Sequence, residues 1–304
     1  MRWLYLLKLL RVYRRLRRIS SAPFLLLLRA LRGVDQHNLC LFPGVSRLCH
    51  ITPPNLYGFL LLREAGMQPA SVQPEAPELL AWELSPGRTF LTRLTVGMDL
   101  MTLYELFGRK DYGEDFSGKV VVDVGAYNGD STVYFALQGA RQVIGLEPYP
   151  PNYALAQENI TRMGLSDRIL LLPAALGTDE GQAAFQIAPK EPDANSLTPP
   201  SSPLQKFIRY EEQISVEVLS LSALLNRFDL EEVDFLKLDC EGCEFSLIES
   251  LSPMELRRVR TWHIEYHANP KPLIDKLSGA GFSVEKRLDR GFLGYLIGER
   301  RDVQ

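Results

Sequence analysis

Short apolar runs alternate with segments of helical periodicity through the C-terminal two thirds of the chain. The β-branched run at 119–124 predicts a buried parallel strand, and the segment at 130–138 predicts the helix that follows it. The same alternation predicts further strands at 142–146, 168–172, 233–238, 259–266, 283–286 and 292–297, and further helices at 150–163, 244–251 and 272–280. This order predicts an α/β fold with a doubly wound, mostly parallel sheet, and the closely spaced last two strands predict an antiparallel edge.

Two stretches lack this alternation. Seven prolines break residues 35–88 into short pieces with one helix predicted at 56–65, so we expect an accessory region that is partly irregular. The stretch 188–213, rich in proline, serine and lysine, interrupts the α/β pattern. Long irregular loops inside a compact domain are usually disordered or form lids over a site, and we expect a lid here.

Charge divides the chain more sharply than its net value of −3 suggests. Nine of the 34 lysines and arginines lie in the first 34 positions, which hold no acid, so the rest has 25 basic and 37 acidic side chains. Basic and apolar side chains lie on opposite faces of a helix through residues 5–19. This pattern favours contact with a membrane surface or an acidic partner, although the apolar face could instead pack on the protein itself.

The charges in this segment are too frequent for a membrane span, and the acidic remainder makes a nucleic-acid partner unlikely because it would repel phosphates. We therefore predict three parts: a basic amphipathic segment at 1–34, an accessory region at 35–92 and the α/β domain at 93–304. The hydrophobic fraction of 46% excludes a disordered or fibrous chain.

Four cysteines do not make a disulfide scaffold, so we expect a reducing compartment and a cytoplasmic protein. The spacing of Cys240 and Cys243 is compatible with a redox pair or with half of a zinc site. No second pair of cysteines or histidines has ligand spacing, and the sequence therefore predicts no metal-binding residues.

A glycine-containing turn follows the first predicted strand of the α/β domain. In such sheets, ligands bind beyond the carboxyl ends of the strands, where Gly125 and Gly129 would let the backbone turn tightly. Glu147 ends the second strand and is placed to accept ribose hydroxyls. The glycine spacing differs from the G-x-G-x-x-G of pyrophosphate binders, which favours S-adenosylmethionine over a nicotinamide cofactor. A tight turn without a ligand is the structural alternative.

Two further clusters lie at predicted strand ends. Lys237, Asp239 and Glu241 belong to a group of charges beside the fourth strand, and buried charges need partners. An ion pair followed by an acidic helix N-terminus would also explain them. On the fifth strand Glu265 and His267 share a face, which makes them candidates for acid–base chemistry.

Together these segments resemble the FkbM family of S-adenosylmethionine-dependent methyltransferases. The resemblance covers about 94–298 and depends on residues 121–131 (VVDVGAYNGDS), 145–148 (GLEP), 234–244 (DFLKLDCEGCE) and 263–267 (HIEYH). It implies a class I methyltransferase sheet of seven strands and O-methylation of a sugar, glycan or natural-product hydroxyl. Cysteines at 240 and 243 depart from the usual small or aliphatic residues, which weakens a redox role. No acid follows the third strand, where an adenine partner is usual.

The resemblance implies roles for particular side chains. The residues expected to bind S-adenosylmethionine are Asp123, Gly125, Ala126, Tyr127, Gly129, Ser131, Glu147 and Pro148. An alcohol needs a general base or a metal for methyl transfer. The candidates for catalysis are Asp239 first, then Glu241, Glu265 and His267, with Lys237 orienting Asp239. A divalent metal is not favoured; its ligands would be Asp239, Glu241 and Glu265.

Two other functional hypotheses remain. One is a non-catalytic protein that binds S-adenosylmethionine or associates with a membrane through residues 1–34. The other is a nicotinamide-dependent dehydrogenase, against which the missing third glycine argues. For the enzyme, we expect a cytoplasmic location at the inner face of an anionic membrane, where residues 1–34 would hold it near lipid-linked glycan acceptors.

Overall fold

The computed structural model describes residues 13–17, 19–20, 22–32, 34, 36–42, 45–72, 76, 78–197 and 208–301. The chain divides into two compact units, residues 1–111 and 112–304. Much of the predicted basic helix lies outside the described residues, which include a helical turn at 13–16. Leu16 and Ile19 are buried, so their apolar side chains pack on the protein itself.

The first unit contains more regular structure than predicted. Its helices are α1 (Pro23–Leu31), α2 (Pro53–Glu64) and α3 (Asp99–Leu103), the last continued by a π-helical segment (Tyr104–Arg109). Its antiparallel strands form a hairpin, β1 (Gln36–Phe42) with β2 (Val45–His50), and a three-stranded sheet, β3 (Pro69–Val72), β4 (Leu79–Ser85) and β5 (Arg88–Arg93). The additional elements arise because prolines such as Pro53 and Pro69 begin elements rather than break them.

The first unit extends beyond the boundary predicted at 92/93, because Asn55 on α2 forms hydrogen bonds to residues after that boundary. The buried side-chain amide of Asn55 donates to the carbonyl of Val96 at 3.0 Å and accepts the backbone N–H of Leu100 at 2.9 Å. Arg93 and Asp99 also form an ion pair at 3.0 Å. These contacts hold the residues after β5 against α2, so the first unit ends at residue 111.

The second unit is built on a seven-stranded sheet. Its strands are β6 (Val120–Val124), β7 (Gln142–Leu146), β8 (Ile169–Leu172), β12 (Val233–Leu238), β13 (Val259–Tyr266), β14 (Phe282–Arg287) and β15 (Gly294–Arg300). Their order is β14-β15-β13-β12-β6-β7-β8, and only β15 runs antiparallel to its neighbours. The doubly wound class I methyltransferase sheet with an antiparallel edge is confirmed.

The remaining elements of this unit connect or cover the sheet. The helices are α4 (Asp130–Leu137), α5 (Pro150–Arg162), α6 (Leu221–Arg227), α7 (Cys243–Ser250), α8 (Pro253–Leu256) and α9 (Lys271–Gly279). A small second sheet, β9 (Ala174–Leu176), β10 (Gly181–Ile187) and β11 (Glu212–Leu219), was not predicted. Among the described residues, no helix combines the length and apolar character needed to cross a membrane.

The order of the sheet determines where a ligand could bind. β6 lies next to the central strand β12, and from β6 the chain passes to β7 on one side and later to β12 on the other. Such a switch point leaves a crevice at the carboxyl ends of the strands. In the register Lys237 stands between Asp123 and His263, so these three side chains share one face just before the strands end.

Candidate functional site

Lys237 is the centre of the charges at the carboxyl ends of β6 and β12. Its buried ammonium donates to the carbonyl oxygen of Gly125 at 2.9 Å and lies 3.3 Å from Asp123 Oδ1 and 3.3 Å from Asp239 Oδ2. Burial alone would lower the pKa of Lys237, but the carboxylates of Asp123 and Asp239 outweigh it and raise that pKa. The lysine therefore stays protonated near neutral pH and does not act as a proton acceptor. Its charge holds both acids in place.

The side chain of Asp123 is fully buried, so solvent has no access to its carboxylate. Burial raises its pKa, while Lys237 and a hydrogen bond from Ser131 Oγ at 2.7 Å act in the opposite direction. Ser131, on α4, was predicted to bind the cofactor, and in the structure its hydroxyl donates to this aspartate. The pair anchors the glycine turn to the end of β6.

The turn glycines make room for the protein itself. Gly125 has a φ of 82°, and a Cβ there would lie 1.9 Å from the backbone oxygen of Asp239. Gly129 has a φ of 88°, and a Cβ there would lie 3.1 Å from the Cα of Ala156 on α5. Both positions require glycine because the turn after β6 presses against neighbouring elements, a reason that differs from the approach to a ligand that the spacing suggested.

Glu147 ends β7 with its carboxylate fixed by the backbone. Oε2 accepts the N–H of Tyr127 at 2.9 Å, and Oε1 accepts the N–H of Tyr149 at 2.9 Å. These two backbone donors fix the position and orientation of the carboxylate. Ala126 and Tyr127 are buried beside it in the turn, and Pro148 follows it half-buried. This arrangement suits a ribose whose two hydroxyls donate to one rigid acid.

His267 lies between two glutamates just after β13. Its Nδ1 is 3.0 Å from Glu244 Oε1, and its Nε2 is 3.4 Å from Glu241 Oε1. The same Glu244 oxygen accepts the backbone N–H of His267 at 3.2 Å, and the other accepts that of Gly242 at 2.7 Å. Burial would lower the pKa of His267, but the two glutamates dominate and raise it well above its ordinary value.

Glu241 occupies an unusual turn between β12 and α7. Its φ is 55° and that of Gly242 is 118°. Cys240 and Cys243 are joined by a disulfide across this turn, so they are neither half of a zinc site nor the free thiols expected of a reducing compartment.

The catalytic candidates form two groups. Asp239, Glu241 and His267 each offer a ligand or proton-accepting atom, and these atoms lie within 4.8 Å of one another. Glu265 is half-buried on β13, where its backbone pairs with Tyr295 of β15. It is not part of this group, and the oxygen-ligand set of Asp239, Glu241 and Glu265 stays a prediction.

His263 belongs to the row below the site. Its buried ring lies 4.4 Å from the ring of Tyr112 and 5.1 Å from that of Tyr295, centroid to centroid. Burial, followed by the charges of Lys237 and Arg287, lowers the pKa of His263 to about 3. Among the described residues, neither ring nitrogen has a hydrogen-bond partner, so this histidine is a neutral packing residue at physiological pH.

Both described ends of the 188–213 stretch lie beside the same turn. Ser196 Oγ donates to the backbone oxygen of Glu241 at 2.6 Å. Tyr210 donates to the carbonyl of Ala194 at 3.2 Å, and burial, with the Glu241 charge next, raises its pKa to about 12. Residues 198–207 lie outside the described part of the chain, so the lid stays a prediction.

The second unit thus combines a glycine turn without basic side chains, an acid fixed at the end of the second strand, and carboxylates at the ends of the fourth and fifth strands. A sequence model of the methyltransferase FkbM domain matches residues 123–284, more than half of the chain and every one of these clusters. The chain belongs to the FkbM methyltransferase family.

Two relatives of this FkbM domain are named as methyltransferases. The chain is 28% identical over 156 residues to 2-O-methyltransferase NoeI of Sinorhizobium fredii, covering 48% of this chain and 63% of that protein. It is 33% identical over 108 residues to the ribosomal protein L11 methyltransferase of Deinococcus radiodurans, covering 35% of this chain and 37% of that one. The chain therefore spans less than two thirds of the length of either protein.

A solved FkbM methyltransferase from Methylobacillus flagellatus is also similar. The two share 16% identity with a TM-score of 0.42, over 64% of this chain and 47% of that chain.

Two residues of the FkbM domain site were not found by sequence reasoning. Sequence reasoning assigned no separate role to Glu244, although it is the acid that holds His267. Tyr112 precedes the first strand of the sheet, and burial, with Tyr295, Asp239 and Glu265 next, raises its pKa well above the ordinary value. The spacing of Glu244 from the glycine before α7 could have indicated a helix-start acid; nothing in the sequence indicated Tyr112.

Proposed function

We propose that the protein transfers a methyl group from S-adenosylmethionine to a hydroxyl of a sugar, glycan or natural-product acceptor. The observation that supports this best is the convergence of Glu147, Asp239 and His267 at the carboxyl ends of β7, β12 and β13 in a member of the FkbM family. The first acid suits a ribose, and the other two residues can handle the proton of an alcohol.

The cofactor fits the residues around Glu147. The hydroxyls of its ribose would donate to this carboxylate, and the turn from Asp123 to Ser131 would lie against the rest of the nucleoside. S-adenosylmethionine supplies a methyl group already activated on a sulfonium and has no phosphate, and the turn at 123–131 contains no lysine or arginine for one.

Asp239 is the proposed proton acceptor. Its side chain is 25% exposed, so an acceptor hydroxyl can reach it, while Lys237 orients it at 3.3 Å. The alcohol would give its proton to this carboxylate as its oxygen gains the methyl group, and the carbon–sulfur bond breaks. Glu265, Glu241 and His267 would position the acceptor, each by hydrogen bonds to neighbouring hydroxyls. A sugar offers hydroxyls at this spacing, and the name of NoeI, a 2-O-methyltransferase, supports oxygen as the methylated atom.

The test separates cofactor binding from transfer. S-adenosylmethionine affinity is measured by calorimetry, and transfer to a panel of sugars, nucleotide sugars and polyketide alcohols is followed by S-adenosylhomocysteine release and the methyl mass increment. We expect Asp239→Asn to bind the cofactor as wild type does and to lose at least about 100-fold in turnover. The control is Asp167→Asn, an exposed aspartate after α5. If wild type does not bind the cofactor, the proposed function is wrong; binding without turnover on any acceptor would favour the non-catalytic alternative.

Membrane association through residues 1–34 is a separate part of the proposal. On α1, Phe24 is 62% exposed and Leu25 is 52% exposed, next to a segment rich in arginine. Apolar side chains beside positive charge favour the surface of an anionic bilayer. The replacement of both by serine should reduce co-sedimentation with phosphatidylserine vesicles, whereas Met254→Ser, 78% exposed on α8, should not. Equal sedimentation of all three proteins would contradict it.

A further inference from the structure

The cluster of Asp239, Glu241 and His267 lies where two parallel strands end side by side. Asp239 follows β12, Glu241 stands in the turn after it, and His267 follows β13. One oxygen from each acid and one ring nitrogen lie within 4.8 Å of one another. Bonds of about 2.0–2.2 Å to a small divalent cation would need these atoms to move inwards by a few tenths of an ångström, which side-chain torsions allow.

An independent observation concerns His267 and an acid outside the cluster. Glu244 is fully buried, and its Oε1 is 3.0 Å from Nδ1 of the ring. With the Nδ1 proton held there, Nε2 faces Glu241, and a bound cation would take the place of the Nε2 proton. A carboxylate that fixes the tautomer and orientation of a histidine in this way is the usual support of a metal-binding imidazole.

Glu241 is held in position as firmly as the histidine. Its backbone has a left-handed φ of 55°, which costs an ordinary residue free energy and persists only where the surroundings impose it. The disulfide between Cys240 and Cys243 closes the turn, and Ser196 Oγ binds the Glu241 carbonyl at 2.6 Å. The backbone that carries the Glu241 carboxylate is therefore fixed before any ligand arrives, which lowers the entropy cost of binding one.

Charge and exposure also suit a cation. The two acids are 25% and 22% exposed at their side chains, so a bound ion would keep positions open for water or for acceptor oxygens. Lys237 compensates the buried Asp123 as well as Asp239, and Glu244 is satisfied by the backbone and His267. A mixed set of two carboxylates and one imidazole suits Mn²⁺ better than Ca²⁺, which prefers oxygen alone.

We propose that Asp239, Glu241 and His267 bind one divalent cation of the Mn²⁺ type, with Glu244 as the positioning residue for His267. The role of the ion rests on the proposed function: an acceptor hydroxyl bound to it would lose its proton more readily. The binding itself does not depend on that function. The cation would also distinguish acceptors with two neighbouring hydroxyls, which can both bind one ion.

The experiment titrates MnCl₂ into the full chain, treated with EDTA and dialysed, by calorimetry without S-adenosylmethionine. We expect one ion per chain, with the affinity lowered at least about tenfold in His267→Gln and about tenfold or more in Glu244→Gln. The matched control is Glu249→Gln, which removes an exposed acid from the same helix and should bind as wild type does. The absence of saturable binding, or equal affinity in wild type and His267→Gln, would overturn the proposal.

A measurement on wild type alone covers the case in which a variant does not fold. Pulsed electron paramagnetic resonance of bound Mn²⁺ should show coupling to one directly bonded imidazole nitrogen, and a spectrum without it contradicts the ligand set. Cofactor binding and methyl transfer are then measured in EDTA. Transfer in EDTA at the same rate as with Mn²⁺ bound would refute the proposed role of the cation in transfer but leave the methyltransferase in place. Saturable Mn²⁺ binding without cofactor affinity would refute the methyltransferase but leave the cation site in place.

Discussion

Replacement of Lys237 by methionine tests whether its ammonium holds the ends of β6 and β12 together. The change removes a donor 2.9 Å from the Gly125 carbonyl and a charge 3.3 Å from Asp123, which has no access to water. Loss of one partner from a buried ion pair costs about 3–5 kcal/mol. The contact with Asp239 adds ~1 kcal/mol or less, because that acid is a quarter exposed and solvent screens it.

The source of this loss can be isolated with a second substitution. In Lys237→Met/Asp123→Asn the uncompensated buried charge is absent, so we expect the double variant to recover about 2 kcal/mol relative to Lys237→Met. Lys271→Met, on the exposed helix α9, removes a lysine paired with Asp275 at the surface and should cost ~0.5 kcal/mol or less.

Hydrogen exchange measured by mass spectrometry suits a chain with two units, because global unfolding of such a chain need not be two-state. Amides of β6 and β12 should exchange at least about 100-fold faster in Lys237→Met than in wild type and recover much of their protection in the double variant. If both variants lose the same protection, the buried charge of Asp123 is not the cause and the ion-pair argument is wrong.

Three further changes probe other parts of the site. Glu147→Gln should weaken S-adenosylmethionine binding about tenfold by calorimetry because one oxygen acceptor is lost, and an unchanged affinity would contradict the ribose assignment. Folded His263 has a pKa of about 3 against 6.5 unfolded, so its stabilisation is complete above pH 6.5 and falls by up to about 1.4 kcal/mol per unit as the pH drops towards 3. Hydrogen exchange of β13 between pH 7 and 5 should therefore show a steeper loss in wild type than in His263→Gln; parallel profiles would contradict this. Reduction of the disulfide between Cys240 and Cys243 with dithiothreitol should lower Mn²⁺ affinity several-fold and leave S-adenosylmethionine affinity unchanged. An unchanged Mn²⁺ affinity after reduction would exclude a role of the disulfide in placing the turn.

Much of the sheet could be predicted because buried parallel strands have apolar runs with polar ends. β7, β12 and β13 lie at the predicted residues, and the rule for carboxyl ends placed Glu147 and Asp239 at the correct edge of the sheet. β10 could not be predicted in this way, since most of its side chains are at least partly exposed and its residues form no clear alternation. Its pairing with β11 depends on a partner that follows a long connection.

The contacts within the site depended on geometry that sequence spacing does not contain. Glu244 reaches His267 because β12 and β13 are in register and because the turn between β12 and α7 folds back with two residues at positive φ. A left-handed glutamate such as Glu241 has no signature in the sequence. The prediction therefore placed Asp239 and His267 at strand ends, as the structure does, but it placed Glu265 rather than His267 in the possible ligand set and did not include the disulfide between Cys240 and Cys243.

The proposed cofactor turn packs directly against the backbone of the proposed catalytic acid. A Cβ on Gly125 would lie 1.9 Å from the backbone oxygen of Asp239, and Lys237 donates to the carbonyl of Gly125 while it pairs with the Asp239 carboxylate. Neither strand end can move without the other, so a shift that repositions Asp239 for a new acceptor would also distort the turn that receives the cofactor. Differences in acceptor preference among proteins with this site should therefore arise from residues outside this contact. Substitutions that change acceptor preference should destabilise the site least at the flanks of the 188–213 stretch and at Tyr112. These residues lie against the acids but do not join the two strands.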